Sequence, residues 1–595
     1  MLFCDGARIR RLSVELVVVG LVSVGLTMPA MPASVASAAL PAGASKYQPL
    51  ADIYRVADTR PGASQKQYTQ IDAQTIEINI RAIPGVPATA IAVVVNLAIV
   101  DNAGSGYVLI YPAGEALPLA STANCNVAGC IVANMAHVKL GTAAGSEGKV
   151  RVKRSSGMNA DFVVDVLGVY LPVDPTVAAG AVGGGRFVPL PSAQRVYETR
   201  PDYGGSGAFG AGETRLVALR GSNGTGSAVI PADALAVVVS VAAINGSAGY
   251  WTVFGSSQSV HPDASTLNLD RTGASTRAAQ AIVRMDSDPS IKVFSQTGGN
   301  FIVDVVGYFT GASAAVSTDG LFVPGVPQRR LDTRNTQTLA PWNGSTFEFT
   351  VNAPSAASVA AAVVNLTATS PWDYGYLTAY AAGTAKPLTS NLNISAWPQT
   401  IANHAIVPVS NRGVAVYTFA GAHIIADVEG WYLGTPAAAT LTKPANPSPA
   451  EVDAGWILAP QMNVSLPVAI GPDPEIIANS GTAASWTWKA AVSGTAHSMI
   501  FGHRTSHGGP FRYINSFAVG DVFFVRNVVG EWFRYRVMQV AVVRPKFSLL
   551  EAILAFLPTG TMQLIACSQA NGAPGGVAYR FVVTARMIGV GQTPG

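Results

Sequence analysis

Short runs of β-branched and aromatic residues, broken by clusters of Gly, Pro, Ser and Asn, set the pattern over residues 47–433. Val93-Val94-Val95-Asn96-Leu97, Val237-Val238-Val239-Ser240-Val241 and Val363-Val364-Asn365-Leu366 each predict a strand, and no convincing length follows the helical period. Short strands at regular spacing with turn signals between them predict sandwiches or barrels, so the expected class is all-β. From about Glu451 the pattern changes. Val522 to Arg526 and the alternating segment Phe533 to Val543 predict a hairpin, with the Val519-Gly520-Asp521 turn ahead of it. Ser548 to Phe556 predicts a short helix, with Ser548 as N-cap and Glu551 three residues on. Met562 to Ala566 predicts a strand ending at Cys567, and Tyr579 to Met587 the last one.

The first three-quarters repeats at domain scale. Arg55-Val56-Ala57-Asp58-Thr59-Arg60 recurs as Arg195-Val196-Tyr197-Glu198-Thr199-Arg200 and as Arg330-Leu331-Asp332-Thr333-Arg334. Each Val-rich run is followed by a Gly-Tyr step, at Gly106, Gly249 and Gly375. Each unit closes on Asp165-Val166-Leu167-Gly168, Asp304-Val305-Val306-Gly307 or Asp427-Val428-Glu429-Gly430. The spacing is far above the 20 to 50 residues of solenoid repeats. Three β-sandwich-like domains are expected at 47–170, 186–309 and 321–433. Ala/Gly/Pro-rich connections lie between them, and a linker at 434–450 leads to a final domain at 451–595. The acid of the acid-Thr-Arg landmark is expected to accept backbone N–H groups and to pair with its Arg, which makes the landmark a turn device and not a ligand site.

Composition narrows the function. Charged residues are 12% of 595 and the net charge is +4, against roughly 25% charged in an average soluble protein. No Lys/Arg stripe could neutralise phosphates, so nucleic acid is not an expected partner. Arg8, Arg10 and Arg11 precede an uncharged stretch from Leu16 to Met28, and Ala36-Ser37-Ala38 offers a cleavage site. Residues 1–38 are therefore expected to be a signal peptide or signal anchor, and the mature chain extracytoplasmic, secreted or tethered at the cell surface. Elsewhere no apolar run approaches the 20 residues of a spanning helix. Cys4 lies in the signal. Cys125 and Cys130 are close enough to bridge one loop in an oxidising compartment, and Cys567 is left over, a reactive or intermolecular thiol.

The tail carries the candidate chemistry. It places one thiol, Cys567, at a strand end, His503 in the Gly-rich loop Phe501-Gly502-His503-Arg504-Thr505-Ser506-His507-Gly508-Gly509-Pro510-Phe511, and Arg580 at the start of a neighbouring strand. A thiol needs a basic partner or a lowered pKa to act as a nucleophile. His503 and Arg580 both supply positive charge, and imidazole can pass a proton to a leaving amine. His507 is the competing imidazole. No Cys/His spacing suits zinc and no Gly-rich loop cradles phosphate, so no metal or cofactor is expected.

At these residues the tail resembles a sortase, most nearly the class E sortases of actinobacteria. The resemblance rests on Gly502-His503-Arg504-Thr505 with Gly508 and Phe511, on Gly520-Asp521, on Leu564-Ile565-Ala566-Cys567 and on Tyr579-Arg580-Phe581-Val582-Val583, over roughly residues 451–595. It implies a sortase-type eight-stranded β-barrel and a cysteine transpeptidase. Cys567 would be the nucleophile on a Leu-Pro/Ala-x-Thr-Gly-like sorting motif, His503 the general acid/base, and Arg580 the holder of substrate or oxyanion. Its partners would be protein substrates bearing that motif and a cell-wall or protein amine. Ala566 stands where sortases usually carry Thr, which implies lower activity or altered specificity. Leu557-Pro558-Thr559-Gly560 lacks the form of a sorting signal. The repeats resemble Asp-Thr-Arg-containing repeats of actinobacterial surface proteins, which implies surface location and a surface ligand of unknown kind. The alternative readings are a surface adhesin or wall-binding protein with an inactive sortase-like domain, and a simple cysteine peptidase in which water resolves the acyl-enzyme.

Overall fold

The structure is a computed structural model. It describes residues 40–590 apart from 175–181, 220–229, 245, 271–275, 287, 336–340, 342–343, 355–356, 372–374, 396–398, 420, 444–453, 471–482, 486–497, 506–508, 528–529, 544–559 and 574–578. The expected signal (1–38), the short helix from Ser548 to Phe556 and His507 lie outside the described residues. So do Leu557, Pro558 and Thr559.

The described elements are strands and short 3-10 turns. Each repeat is two packed sheets. In the first, an inner sheet pairs Ser45–Asp58, Asp161–Pro172, Ala92–Val100 and Val132–Lys139 in that order. The same order recurs in the second, as Phe187–Glu198, Asn300–Phe309, Ala236–Ile244 and Arg277–Arg284, and in the third, as Phe322–Asp332, His423–Leu433, Val359–Thr369 and Ile401–Pro408. A smaller outer sheet covers one face of each. The other face of all three inner sheets meets in one shared core, which contains Tyr47, Val94, Tyr170, Phe187, Val238, Phe309, Phe322, Val363 and Tyr432. Inner strands are thus buried on both faces, and alternate residues of one run serve different cores. Val93 and Val95 face the first sandwich while Val94 faces the junction. That double burial is why the runs read as unbroken β-branched residues, and why charge is scarce. Ser45 pairs with Phe322, joining the inner sheets of repeats one and three.

The edge strands at the junction would present unpaired N–H groups, and neighbouring repeats satisfy them. The Asn134 Oδ1 accepts the His404 N–H at 2.8 Å, the Gln280 Oε1 accepts that of Ile406 at 2.8 Å, and the Glu429 Oε2 accepts that of His137 at 3.0 Å. His137 and His404 stack and share a 2.9 Å hydrogen bond; His137 Nε2 also reaches the Tyr170 hydroxyl at 3.0 Å. Burial holds both imidazoles neutral, His404 down to about 3, and pushes the Glu429 carboxyl up to about 8.

The landmarks find their partners here. Asp58 Oδ1 accepts the backbone N–H of Arg60 at 3.1 Å, and its carboxylate pairs with the Arg60 guanidinium at 2.6 Å; Glu198–Arg200 and Asp332–Arg334 repeat the device. The Arg three residues before each acid pairs across the sheet instead, Arg55 to Asp165, Arg195 to Asp304 and, one residue ahead of the expected Arg330, Arg329 to Asp427, each through Nε and Nη2; Arg330 donates to Thr350. Cys125 and Cys130 form a disulfide buried in the core of repeat one.

The tail is a closed barrel. Its strands are Ala454–Ala459, Val464–Ile470, Ala483–Ser485, Ser498–Phe501, Thr561–Ser568, Tyr579–Val590, Trp532–Val543 and Val522–Arg526, each paired with the next and the last with the first. The expected hairpin is present, with Phe523 opposite Tyr535.

Candidate active site

Cys567 and Arg580 lie on neighbouring barrel strands, and His503 follows the end of a third. Ser498–Phe501 runs parallel to Thr561–Ser568, with Met499 beside Gln563 and Phe501 beside Ile565, a constant offset of 64 residues. The Gly502 N–H extends the ladder by donating to the Ile565 carbonyl at 3.1 Å. His503 comes next, two residues past Phe501, as Cys567 is two past Ile565. On its other side Thr561–Ser568 is antiparallel to Tyr579–Val590, and Cys567 is the direct partner of Arg580. Adjacent strands are about 4.8 Å apart, so the ends of these three strands form one row.

Alternation along these strands decides which way the row faces. Met562, Leu564 and Ala566 belong to the barrel core, together with Ile500, Phe581 and Val583. Met499, Ile565 and Val582 form a separate cluster with Phe501 and Val543, on the outer face. Cys567 and Arg580 share that outer face by the period of two. The site is therefore a half-buried polar row above an apolar row, each one strand-step from the other. Ala566 points the other way, into the core, so the residue in Thr's usual place packs behind the site and does not line it. Among the described residues Cys567 is the free cysteine, and it is half-buried. Arg580 is fixed locally, its Nη1 donating to the Tyr579 carbonyl at 3.0 Å.

The backbone at His503 is held tightly. A Cβ on Gly502 would lie 2.6 Å from the Phe511 ring, so glycine lets that buried ring press against the chain just before the imidazole. The Phe511 N–H then donates to the His503 carbonyl at 2.8 Å.

A chain whose barrel places Cys, His and Arg in such a row has the parts for acyl transfer through a thioester, and a protein-family comparison names it. The sortase domain model matches residues 457–588. This segment is similar to sortase domains. Among solved structures, the SrtA sortase from Actinomyces oris is 20% identical, over 23% of this chain and 80% of that one, with a TM-score of 0.21. Sortase E1 from Streptomyces coelicolor, solved with a tripeptide in its active site, is 21% identical over 23% and 88%, TM-score 0.19. Listeria monocytogenes sortase A is 18% identical over 24% and 90%, TM-score 0.20. No curated protein matches the chain.

Sequence reasoning left two features of the sortase domain unassigned. One is the apolar row of Met499, Ile565 and Val582, which the period-two pattern alone could have revealed. The other is Arg504, a charged residue that is only 2% exposed. Outside the sortase domain, two clefts occupy matching positions at repeat junctions. One, of about 210 Å³, lies between the 190–193 bulge and Tyr380; the other, of about 170 Å³, lies between the 50–53 bulge and Phe254.

Proposed function

We propose that this chain is an exported sortase of the class E kind that cleaves a Leu-Pro/Ala-x-Thr-Gly-like sorting motif and transfers the acyl part to an amine. What supports it is the register: the 64-residue offset between the strands that lead to His503 and Cys567, and the pairing of Cys567 with Arg580. Cys567 Sγ adds to the Thr carbonyl carbon, and Arg580 stabilises the oxyanion that develops. His503 gives its proton to the leaving Gly nitrogen as the C–N bond breaks, leaving an acyl-thioester. An incoming amine, deprotonated by His503, attacks that carbonyl; the new C–N bond forms and the thiolate leaves. The Cys125–Cys130 disulfide supports an oxidising, extracytoplasmic location, and the repeats serve to hold the sortase domain at the surface.

Incubation with a Leu-Ala-x-Thr-Gly peptide followed by intact-mass analysis tests this. The expected result is an adduct on Cys567, absent from Cys567→Ala and discharged by an added amine. No adduct with any Leu-Pro/Ala-x-Thr-Gly peptide sinks the enzyme reading, and discharge by water alone, with amine present, makes the protein a peptidase.

A further inference from the structure

Arg504 follows His503 directly, yet its side chain leaves the outer face and is buried. Three contacts fix it. Nη1 donates to the Gly572 carbonyl at 2.8 Å, Nη2 donates to Asn515 Oδ1 at 2.7 Å, and the guanidinium carbon lies 5.6 Å from the centroid of the Phe581 ring. Each contact reaches a different part of the catalytic row. Gly572 sits in the turn that follows Cys567, closed by Gln569 accepting the Gly572 N–H at 3.1 Å and donating to Ala573 at 2.9 Å. Phe581 is the residue after Arg580 and the cross-strand partner of Ala566. Asn515 lies in the 3-10 turn Ile514–Ser516, downstream of Phe511, which holds the His503 carbonyl. The chain around Arg504 is equally confined: a Cβ on Gly509, at φ +58°, would stand 2.8 Å from the Arg504 carbonyl oxygen.

We infer that Arg504 is a positioning residue for the transpeptidase, a buried fork that locks the His503 loop to the turn after Cys567 and to the strand of Arg580. The inference rests on the sortase reading for its chemistry, but its geometry does not. Burying a cation is unfavourable unless its donors are used, and burial indeed holds this guanidinium below its ordinary pKa. A hydrophobic residue would fill the space at less desolvation cost. What only the planar fork provides is two donors at a fixed angle, each taken by a different loop. A lysine in its place would be a single point donor on a flexible stem and could serve one acceptor at a time. The row is assembled from three strand ends, and strand ends have no ladder beyond them to fix their spacing. Arg504 supplies that restraint at the level where the ladder between the His and Cys strands stops.

The test uses the full chain with Arg504→Lys, Arg504→Gln and Asn515→Ala. Two readouts are followed: the pH dependence of Cys567 alkylation by iodoacetamide, located by peptide mapping, and transpeptidation kinetics. The expected result is a kcat reduced at least tenfold in Arg504→Lys and Arg504→Gln, with KM changed less than threefold. The alkylation profile departs from that of the wild type, and Asn515→Ala gives the same changes at smaller amplitude. Far-UV circular dichroism checks folding; if the Arg504 variants do not fold, Asn515→Ala decides alone. Folded variants with the wild-type alkylation profile and wild-type kcat overturn the inference while leaving the sortase reading intact. A wild type that transfers nothing, with variants that still shift the alkylation profile, keeps the positioning role and removes the transpeptidase.

Discussion

The ring of Phe187 lies on Gly307, where a Cβ would meet Cε2 and Cζ at 2.6 Å. Tyr47 on Gly168 and Phe322 on Gly430 repeat the relationship, so each closing glycine is the seat of an aromatic from its own repeat's first strand. All three rings lie in the shared core. Gly307→Ala is expected to force Phe187 outward and to destabilise the repeats by about 1–3 kcal/mol, the usual range for overpacking. Urea unfolding followed through Trp251, buried in repeat two, measures it; an unchanged midpoint refutes the packing role of that glycine.

Arg580→Ala is expected to lower kcat/KM by about 10²–10³, or roughly 2.7–4 kcal/mol, the size of losing one oxyanion donor. Arg580 is half-buried at a strand end, so the melting temperature should move little. Peptide transfer kinetics beside a thermal melt separate the two effects. A loss in KM alone would reassign Arg580 to ground-state binding.

Gly502→Ala places its methyl against the fully buried Phe511 ring. Neither backbone nor ring has room to yield, so about 1–3 kcal/mol of barrel stability is lost. The His503 loop shifts with it, and transfer activity is expected to fall more steeply than stability. Combining Gly502→Ala with Phe511→Leu should restore part of the activity, because the smaller side chain vacates the space. No recovery in the double variant counts against Phe511 as the contact.

The junction of the repeats should have its own pH optimum. His137 and His404 are held neutral by burial, so stability is lost as pH falls below 6.5, where the unfolded imidazoles take up protons. Glu429 is held protonated, its carboxyl at about 8 against 4.5 unfolded, so stability is lost as pH rises above 4.5 and levels off near 8. Between 4.5 and 6.5 the unfolded chain binds two imidazole protons and the native one a carboxyl proton, a net difference of one proton favouring higher pH. Above 6.5 only the Glu429 proton remains, favouring lower pH. Tyr47, Tyr170 and Tyr432 stay protonated throughout. The contribution of these three groups to the denaturation midpoint across pH 4.5–8 should peak near 6.5. Glu429→Gln should flatten the alkaline limb and steepen the acid limb, because its native proton no longer offsets one of the two imidazole protons; an alkaline limb that persists means another group carries it.

Strands and repeats were legible because inner strands are buried on both faces, and that leaves uninterrupted Val runs. The meeting of the repeats was not, because Tyr47 and Gly168 are brought together only by folding and neither looks unusual alone. The landmark Arg residues show the same limit. Arg60 turns to Asp58, two residues away, as the sequence suggested, whereas Arg55 reaches Asp165, 110 residues on. In the tail, the motif order pointed to Cys567, His503 and Arg580 before their row was known. Arg504 stood in the same motif without a role, since its acceptor Gly572 is 68 residues away and the loop carries no charge to announce it.

Because the row is set by ladder register, the molecule is far more sensitive to where length changes than to how much. The connections between barrel strands can change length without disturbing the row, provided each strand rejoins the ladder at the same step and Arg504, Phe511 and Asn515 keep their contacts. A single residue added inside Ser498–Phe501 or Thr561–Ser568 would instead turn the imidazole or the thiol from the outer face toward the core, and bring a hydrophobic neighbour out in its place. Diversification of this barrel is therefore open in its loops and closed, to within one residue, in two short strands.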